Sequence, residues 1–448
     1  MDNIFSSHFP WHKENGQGMA DLMKAKFMSV ISENVSVFII ATMFLIGLVL
    51  ALSTGIPIKS IMTNYSYDVL VILIIMELFT NLIAETGIMQ LLAIKIANSS
   101  EGSRRLCLMM FGGMMFLISS CLNNITAVMM ILPIVFVLLK MLEVDRKYVC
   151  MFFATILALS NTGGAATPIG DFPAIIIMTS GITSFISYLT HAFPLLAMTS
   201  IILVMFWGML VQKEDDDGAV RQLAIANLKS QYKNITIRVS VLKKLAVILV
   251  GMFLAWSVVP QNIIPPEVIA VLGYVLAVVI CSVERVKVEQ VIDFKSVLTI
   301  ASFLFFAQVV SQTGVLNTIA TFLQSNIESP KLLVMAVMVI TSIVAGIFSA
   351  GPAAAALMPI IIQLCNGPLN MYSDWIAVAY AAAICAGSSL FMWSATAGFI
   401  LSGKVNASNI EEESGGKVSW GVVQYFRYGI VNYLIQISIA LVAIGIIL

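Results

Sequence analysis

Apolar positions along the chain fall in long uninterrupted blocks, without the period of two that a half-buried strand shows. Apolar runs with few or no charges cover about residues 34–53, 67–93, 106–139, 148–182, 185–211, 245–260, 266–283, 296–322, 332–364, 375–402 and 420–447. Several reach the roughly 20 apolar residues that span a bilayer as a helix. Their continuous character is unlike the alternation of a transmembrane β-barrel. The pattern predicts an all-α polytopic membrane protein. Two runs have an awkward length. Residues 106–139 hold 34 positions without a charge, broken halfway at SSCLNNIT. Two full spans would need about 40 residues plus a turn, so two shorter legs with a polar tip are expected, a re-entrant hairpin. Residues 332–364 repeat the shape and break at FSAGP. Two further runs carry helix breakers, SNTGGAATPIGD at 160–171 and CAGSSLFMWSATAG at 385–398, and predict two broken helices. Non-helical backbone at membrane depth is tolerated only where protein or a watery cavity surrounds it.

The same features recur in the same order. DVLVILIIMELFTNLIAETGIMQLLA (68–93) resembles SVLTIASFLFFAQVVSQTGVLNTIAT (296–321), with Thr86-Gly87 against Thr313-Gly314. From Gly87 to Pro133 is 46 positions, and from Gly314 to Pro359 is 45. Basic residues set the orientation. The loop 212–244 carries Lys213, Arg221, Lys229, Lys233, Arg238, Lys243 and Lys244 and is expected inside. Tracing from it puts the N-terminus in the cytoplasm, the first hairpin opening inward, the second opening outward, and the C-terminus outside. The expected organisation is a cytoplasmic tail (1–33) with a short interfacial helix near MADLMKAKFM, a first transmembrane repeat (34–211), a cytoplasmic linker (212–244) and a second, inverted repeat (245–448). Inverted repeats with broken helices are the architecture of secondary transporters, whose site lies near the midplane.

Composition agrees. The 448 residues are 59% hydrophobic and 11% charged, against about 25% charged in soluble proteins. Net charge is zero, and nothing points to nucleic acid. The six cysteines form no CxxC pair and read as buried apolar residues. The three histidines, two of them in the N-terminal tail, give no metal site. Nothing calls for a cofactor. The first apolar run begins near Val35, too late for a cleaved signal peptide. The absence of targeting signals points to a bacterial inner membrane.

The chemistry concentrates at the four breaks. Broken helices expose unpaired carbonyls, which coordinate cations, and N–H groups, which face anions. Asn123, Asn124, Thr126, Ser160, Asn161, Thr162, Thr167 and Asp171 are the candidate cation ligands, mostly neutral oxygens suited to a reversible Na⁺ site. Gly163, Gly164, Pro168, Ser349, Gly351, Pro352, Ser388, Ser389, Ser394 and Thr396 are the candidate solute contacts. Asp171 is the one carboxylate among them, so one strong cation site is expected, in the first half. For the Ser and Thr residues, helix–helix hydrogen bonding is the competing role. Glu77, deep in 67–93, is a candidate proton relay or a paired structural acid, and Glu85 a solvated one. No Lys or Arg lies clearly mid-membrane, so an anionic solute would depend on helix N-termini and the bound cation.

SNTGGAATPIGD resembles the signature of the ion transporter superfamily, the citrate-transporter-like group. Its members include arsenite permeases, D-type sodium/proton antiporters, the melanosomal P protein and divalent-anion/sodium symporters. CLNNITAVMMILP resembles the first-hairpin tip, where the symporters carry Ser-Asn-Thr. Asn124 and Thr126 match, and the Ser position reads Asn123. The second tip reads Ser349-Ala-Gly-Pro instead of Ser-Asn-Thr, and the first broken helix ends Asp171-Phe-Pro where anion permeases have Pro-Pro-Asn. The resemblance covers about residues 35–447. It implies a homodimer in which a fixed scaffold supports a moving transport domain.

These features lead to a cation-coupled secondary transporter, driven by Na⁺ or H⁺, that carries a small anion, in the first instance an organic carboxylate, by alternating access. The alternative is a Na⁺/H⁺ antiporter, which Asp171 favours because a carboxylate repels an anionic solute. An intramembrane aspartyl protease, using Asp68 and Asp171, would need Gly where Pro168 stands. A channel fits poorly with two inverted halves.

Overall fold

A computed structural model of the protein describes residues 37–142, 144–211, 223, 225–227, 237–260, 263–281, 291–315, 318, 322, 325–327, 329–367, 370–408, 410 and 418–448. The expected tail helix near MADLMKAKFM, and most of the 212–244 linker, lie outside the described residues. Everything regular that is described is helical. In chain order the helices are α1 (Val37–Ser53), α2 (Ile58–Thr63), α3 (Tyr67–Ala84), α4 (Ile88–Ser99), α5 (Arg104–Ser119), α6 (Asn124–Met141), α7 (Arg146–Gly164), α8 (Phe172–Thr179) and α9 (Phe185–Leu210). There follow α10 (Val239–Val258), α11 (Pro266–Cys281), α12 (Phe294–Gln312), α13 (Pro330–Phe348), α14 (Ala350–Asn366), α15 (Ser373–Ser388), α16 (Gly398–Ala407) and α17 (Val422–Ile447).

Among the described residues, α3, α9, α10, α13 and α17 are long and apolar enough to cross a membrane. Their outward faces stay apolar where a soluble protein would be charged: Val247, Leu254, Val423 and Ile446 are all exposed. The chain is an integral membrane protein. The run 67–93 divides at Glu85–Gly87, because Gly87 takes a left-handed φ of 78° that ends α3 and starts α4 in a new direction. Gly314 takes φ 77° after α12. Thr86 Oγ1 donates to Ile83 O and Thr313 Oγ1 to Val310 O, each at 2.7 Å. The two Thr-Gly steps therefore fold alike.

The breaks fall where the sequence put them. The first hairpin turns at Ser120–Asn123, between legs of 16 and 18 residues, ~24 and ~27 Å long. These legs are longer than half a span, because the turn itself takes only four residues, Ser120–Asn123. Asn123 caps α6 by accepting from Ile125 N at 2.9 Å. The second hairpin turns in a single residue, Ser349, at φ 86°. Positive φ is costly for a residue with a Cβ, so the surrounding packing holds this turn.

The most enclosed helices are the ones that break. Every residue of α7 from Tyr148 to Gly164 is buried, as is every residue of α15 from Ile376 to Ser388. Packing runs in parallel around them: α5 lies on α7 and α13 on α15, while α8 meets α14 and α16 meets α6. Close backbone contact needs glycine at two matched points. A methyl at Gly163 would strike Phe116 O, and one at Gly387 would strike Ser342 O. Along α5 and α7, Tyr148 donates its hydroxyl to Arg104 O at one end, and Ser119 reaches Ser160 O at the other. The hairpin tip is thereby carried to the level at which α7 stops.

Candidate functional site

Helix α7 stops at Gly164 for a local reason. The carbonyl of Gly164 would be taken by the N–H of residue 168, and Pro168 has none. Ala165 N and Ala166 N fall back to Asn161 O and Gly163 O. Gly164 O takes no hydrogen bond among the described residues. The chain then crosses residues 165–170 and resumes as α8, with Asp171 at its N-cap in extended conformation.

Asp171 does not cap that helix with its side chain. Its Oδ2 accepts from Asn124 Nδ2 on the hairpin tip at 2.7 Å, a charge-assisted distance when the carboxylate is ionised. Asn124 Oδ1 meets Ser119 Oγ, which also lies 2.8 Å from Ser160 O. Ser119 has one proton, so it serves one acceptor at a time. Thr167 Oγ1 donates to Ser120 O and pins the broken segment to the tip. Asp171 is 4% exposed and Asn124 0%. Among the described residues, Glu77 and Asp171 are the only buried ionisable carboxylates, and no Lys, Arg or His is buried.

Three oxygens here lack donors. They are Asp171 Oδ1, Asn161 Oδ1 and Gly164 O, in a chain where buried polar atoms are normally paired. Gly164 sits against both residues of the pair, since a methyl there would lie 2.5 Å from Asn124 Oδ1 and 2.7 Å from Asp171 Cβ. Asn161 precedes Gly164 by one turn. At Gly170 an added methyl would lie 2.5 Å from Gly164 O and 2.9 Å from Ser119 O, so two carbonyls converge there as well.

Not every expected ligand joins this cluster. Asn123 spends its side chain on the α6 cap, and Thr126 is half-buried in the first turn of that helix. Ser160 and Thr162 donate back to Leu157 O and Ala158 O within α7, each at 2.8 Å. Ser119 and Gly170 were missed. The polar tip SSCLNNIT contains Ser119, yet a serine one turn before the break reads as ordinary helix–helix glue. Glu77 lies elsewhere, accepting from Asp293 N at the start of α12 at 3.4 Å.

The second break has a different character. The carbonyls at the end of α15, from Cys385 to Ser389, are occupied. Ser388 and Ser389 both donate to Cys385 O, at 3.0 and 2.9 Å. Ser394 Oγ lies 3.0 Å from Ser388 O and 2.7 Å from Phe391 O. Asn161 Nδ2 donates across the repeats to Ser388 O at 3.3 Å, and Cys385 Sγ donates back to Asn161 O at 3.3 Å. Ser394 O accepts from Ala350 N, which ties the second tip to this break. A methyl at Gly351 would meet Phe172 at 3.1 Å, so the second tip packs against the start of α8. Pro352 is buried beside it, and Thr396 Oγ1 is buried without a partner. The two breaks and both tips thus form one polar centre, with its donor-free carboxylate and amide oxygens, Asp171 Oδ1 and Asn161 Oδ1, in the first half.

The citrate transporter family profile matches residues 27–385 and again 252–444. The chain belongs to the citrate transporter family. A 46 kDa membrane protein of Mycobacterium leprae is 26% identical over 383 residues, 84% of this chain and 86% of its own length. An uncharacterized transporter of Mycobacterium tuberculosis is 26% identical over 394 residues, covering 85% and 86%. The mouse P protein is 30% identical over 114 residues, 25% of this chain and 13% of that protein. As a member of this family the chain is a secondary transporter and not an enzyme, and the two-aspartate protease reading falls.

Proposed function

We propose that this chain couples a cation, Na⁺ or H⁺, to the movement of a small carboxylate anion by alternating access. One observation carries the reading. Asp171 Oδ1, Asn161 Oδ1 and Gly164 O are buried at one break without donors, and a bound cation satisfies such oxygens while a hydrogen-bonded helix end does not. The set joins one carboxylate with neutral oxygens, suited to weak, reversible binding of a hard monovalent ion. The family, described as citrate transporters, supports a carboxylate as solute. The N-termini of α6 and α14 start at the two tips, where their N–H groups favour an anion. A cation beside Asp171 offsets the repulsion that this carboxylate exerts on the solute.

The matched Thr-Gly steps, the matched glycine contacts and the parallel packing support two inverted repeats, each with a hairpin reaching partway through the membrane. We assign residues 34–211 and 245–448 to these repeats. In this reading both termini of the hairpin–break unit move together against a scaffold, in a homodimer of the bacterial inner membrane with its N-terminus cytoplasmic.

Na⁺/H⁺ exchange is the second reading. It is favoured by the absence of any buried basic side chain among the described residues, which leaves Asp171 to carry either ion in turn. One assay separates the two. Purified protein is placed in liposomes with a trapped pH dye, with the membrane potential clamped by a K⁺ ionophore. A Na⁺ gradient is imposed with and without labelled citrate, for wild type and Asp171→Asn. Carboxylate uptake that follows the cation gradient, and that Asp171→Asn lowers at least a hundredfold, is the expected result. Proton movement driven by Na⁺ alone, lost in Asp171→Asn, would replace symport with exchange.

A further inference from the structure

Each broken helix resumes as a short second leg, α8 or α16, and the long helix after that leg carries a tyrosine in its first turn. Tyr188 is the fourth residue of α9, and Tyr425 the fourth of α17. Both are fully enclosed, at 1% and 0% exposure. Tyr188 donates its hydroxyl to Ala165 O at 2.7 Å, and Tyr425 donates to Ser389 O at 2.8 Å. Ala165 is the first residue after α7, and Ser389 the first after α15. The two bonds are therefore the same bond made in each half. In both cases the acceptor is a carbonyl that the interrupted helix can no longer use.

The halves differ in what adjoins that carbonyl. Ala165 follows Gly164, whose bare Cα lies against Asn124 and Asp171 and whose carbonyl accepts no bond among the described residues. Ser389 follows Ser388, whose carbonyl is already bonded to Asn161 and Ser394, and its own hydroxyl is held by Gln436 at 3.2 Å. We propose that Tyr188 is a positioning residue for the cation site: its hydroxyl fixes the peptide after Gly164 so that the donor-free oxygens are held ready. Tyr425 does the same for the break that has no carboxylate, and so leaves cation affinity alone. This rests on the cation-coupled reading above.

Removing the Tyr188 hydroxyl lets the broken segment sample other arrangements, and the cation then binds only the ordered fraction. The apparent dissociation constant rises by the inverse of that fraction. Loss of one neutral hydrogen bond corresponds to about three- to tenfold.

The test is Na⁺ titration of thermal unfolding in detergent, with choline chloride holding ionic strength constant, on wild type, Tyr188→Phe and Tyr425→Phe. Both variants should melt below wild type without Na⁺, since each loses one buried bond. The Tyr188→Phe midpoint for Na⁺ should rise about three- to tenfold, while that of Tyr425→Phe stays within about twofold. Equal midpoints in all three, or equal shifts in both variants, overturn the proposal and leave cation coupling intact. A wild type whose melting responds to neither Na⁺ nor pH overturns the cation-coupled reading, and this proposal with it. Should Tyr188→Phe not fold, 3,5-difluorotyrosine at position 188 keeps ring and hydroxyl but donates more strongly. It should lower the Na⁺ midpoint, and a raised or unchanged midpoint refutes the assignment.

Discussion

Gly164→Ala tests the site without replacing a polar side chain. The added methyl would lie 2.5 Å from Asn124 Oδ1, 2.7 Å from Asp171 Cβ and 3.1 Å from Asn124 Nδ2. Carbon atoms settle no closer than about 3.5 Å, so Asp171 and the hairpin tip must separate by ~0.8 Å. The Asn124–Asp171 bond begins at 2.7 Å. Lengthened by that amount it leaves the hydrogen-bonding range, whose upper end is about 3.2 Å. A bond to a charged group contributes about 1.5–3 kcal/mol, and overpacking a tight core costs a further ~1–3 kcal/mol. The first quantity appears as a ten- to hundredfold rise in half-saturating cation, by about 1.4 kcal/mol per tenfold. The second appears as a lower melting temperature. Gly113→Ala on α5 is the control, because nothing lies within 4 Å of its added methyl; it should transport as wild type and gain up to ~1 kcal/mol in helix stability. The assay is initial uptake in proteoliposomes against cation concentration, beside a melting curve. Gly164→Ala with half-saturation within twofold of wild type would refute the claim that contact between Asn124 and Asp171 builds the site.

Gly87→Ala and Gly314→Ala meet no atom within 4 Å at Gly314, and both force a left-handed φ on alanine; each should cost about 1–2 kcal/mol in a denaturation experiment, by similar amounts if the two turns are equivalent. Asn432→Leu strands Trp207 Nε1, bonded at 2.7 Å, and removes an extra bond to Ala154 O at 3.2 Å, a carbonyl inside α7; the melting temperature should fall by an amount corresponding to about 1–3 kcal/mol, with the cation midpoint unmoved. Asn161→Ala removes both a donor-free oxygen and the bond to Ser388 O, so cation dependence in the uptake assay should weaken further than Asn432→Leu can explain.

The all-helical fold and the four breaks were legible because membrane helices announce themselves by composition and breakers by type. Gly163, Gly164 and Pro168 have local effects on backbone, and a local cause can be read from a local string. Asp171 was legible as an expensive charge in an apolar run. The bonds that shape the site were harder, because they join residues distant in sequence. Tyr188 reaches back 23 positions and Tyr425 back 36, and an aromatic residue on an apolar helix gives no sign of where its hydroxyl points. Aligning FISY at 185–188 with VVQY at 422–425 would have marked the pair, since both open the long helix that follows a broken helix's short second leg. The capping role of Asn123 was equally hard to read. Position in the motif suggested a ligand, whereas local geometry makes it the cap of α6, and Ser119 supplies the hydroxyl beside Asn124.

The two breaks share their geometry and differ in their acceptors, and that difference has a cause in particular residues. Pro168 withholds a donor from Gly164 O at the first break. At the second, Ser388, Ser389 and Ser394 supply donors to the helix end, and Asn161 adds one from across the repeats. A carbonyl already bonded to a hydroxyl is a weaker ligand, because the ion must compete for its lone pairs. The serines of the second half therefore work against a cation there even though serine oxygens count as ligands by type. Asn161 links the two states of affairs: its amide donates to the satisfied break while its Oδ1 stays bare at the unsatisfied one. A cation drawn to Asn161 Oδ1 would pull on a side chain anchored in α15. In the proposed coupling, ion binding in the first half would thus reach the second broken helix, where a solute held between the tips would be felt.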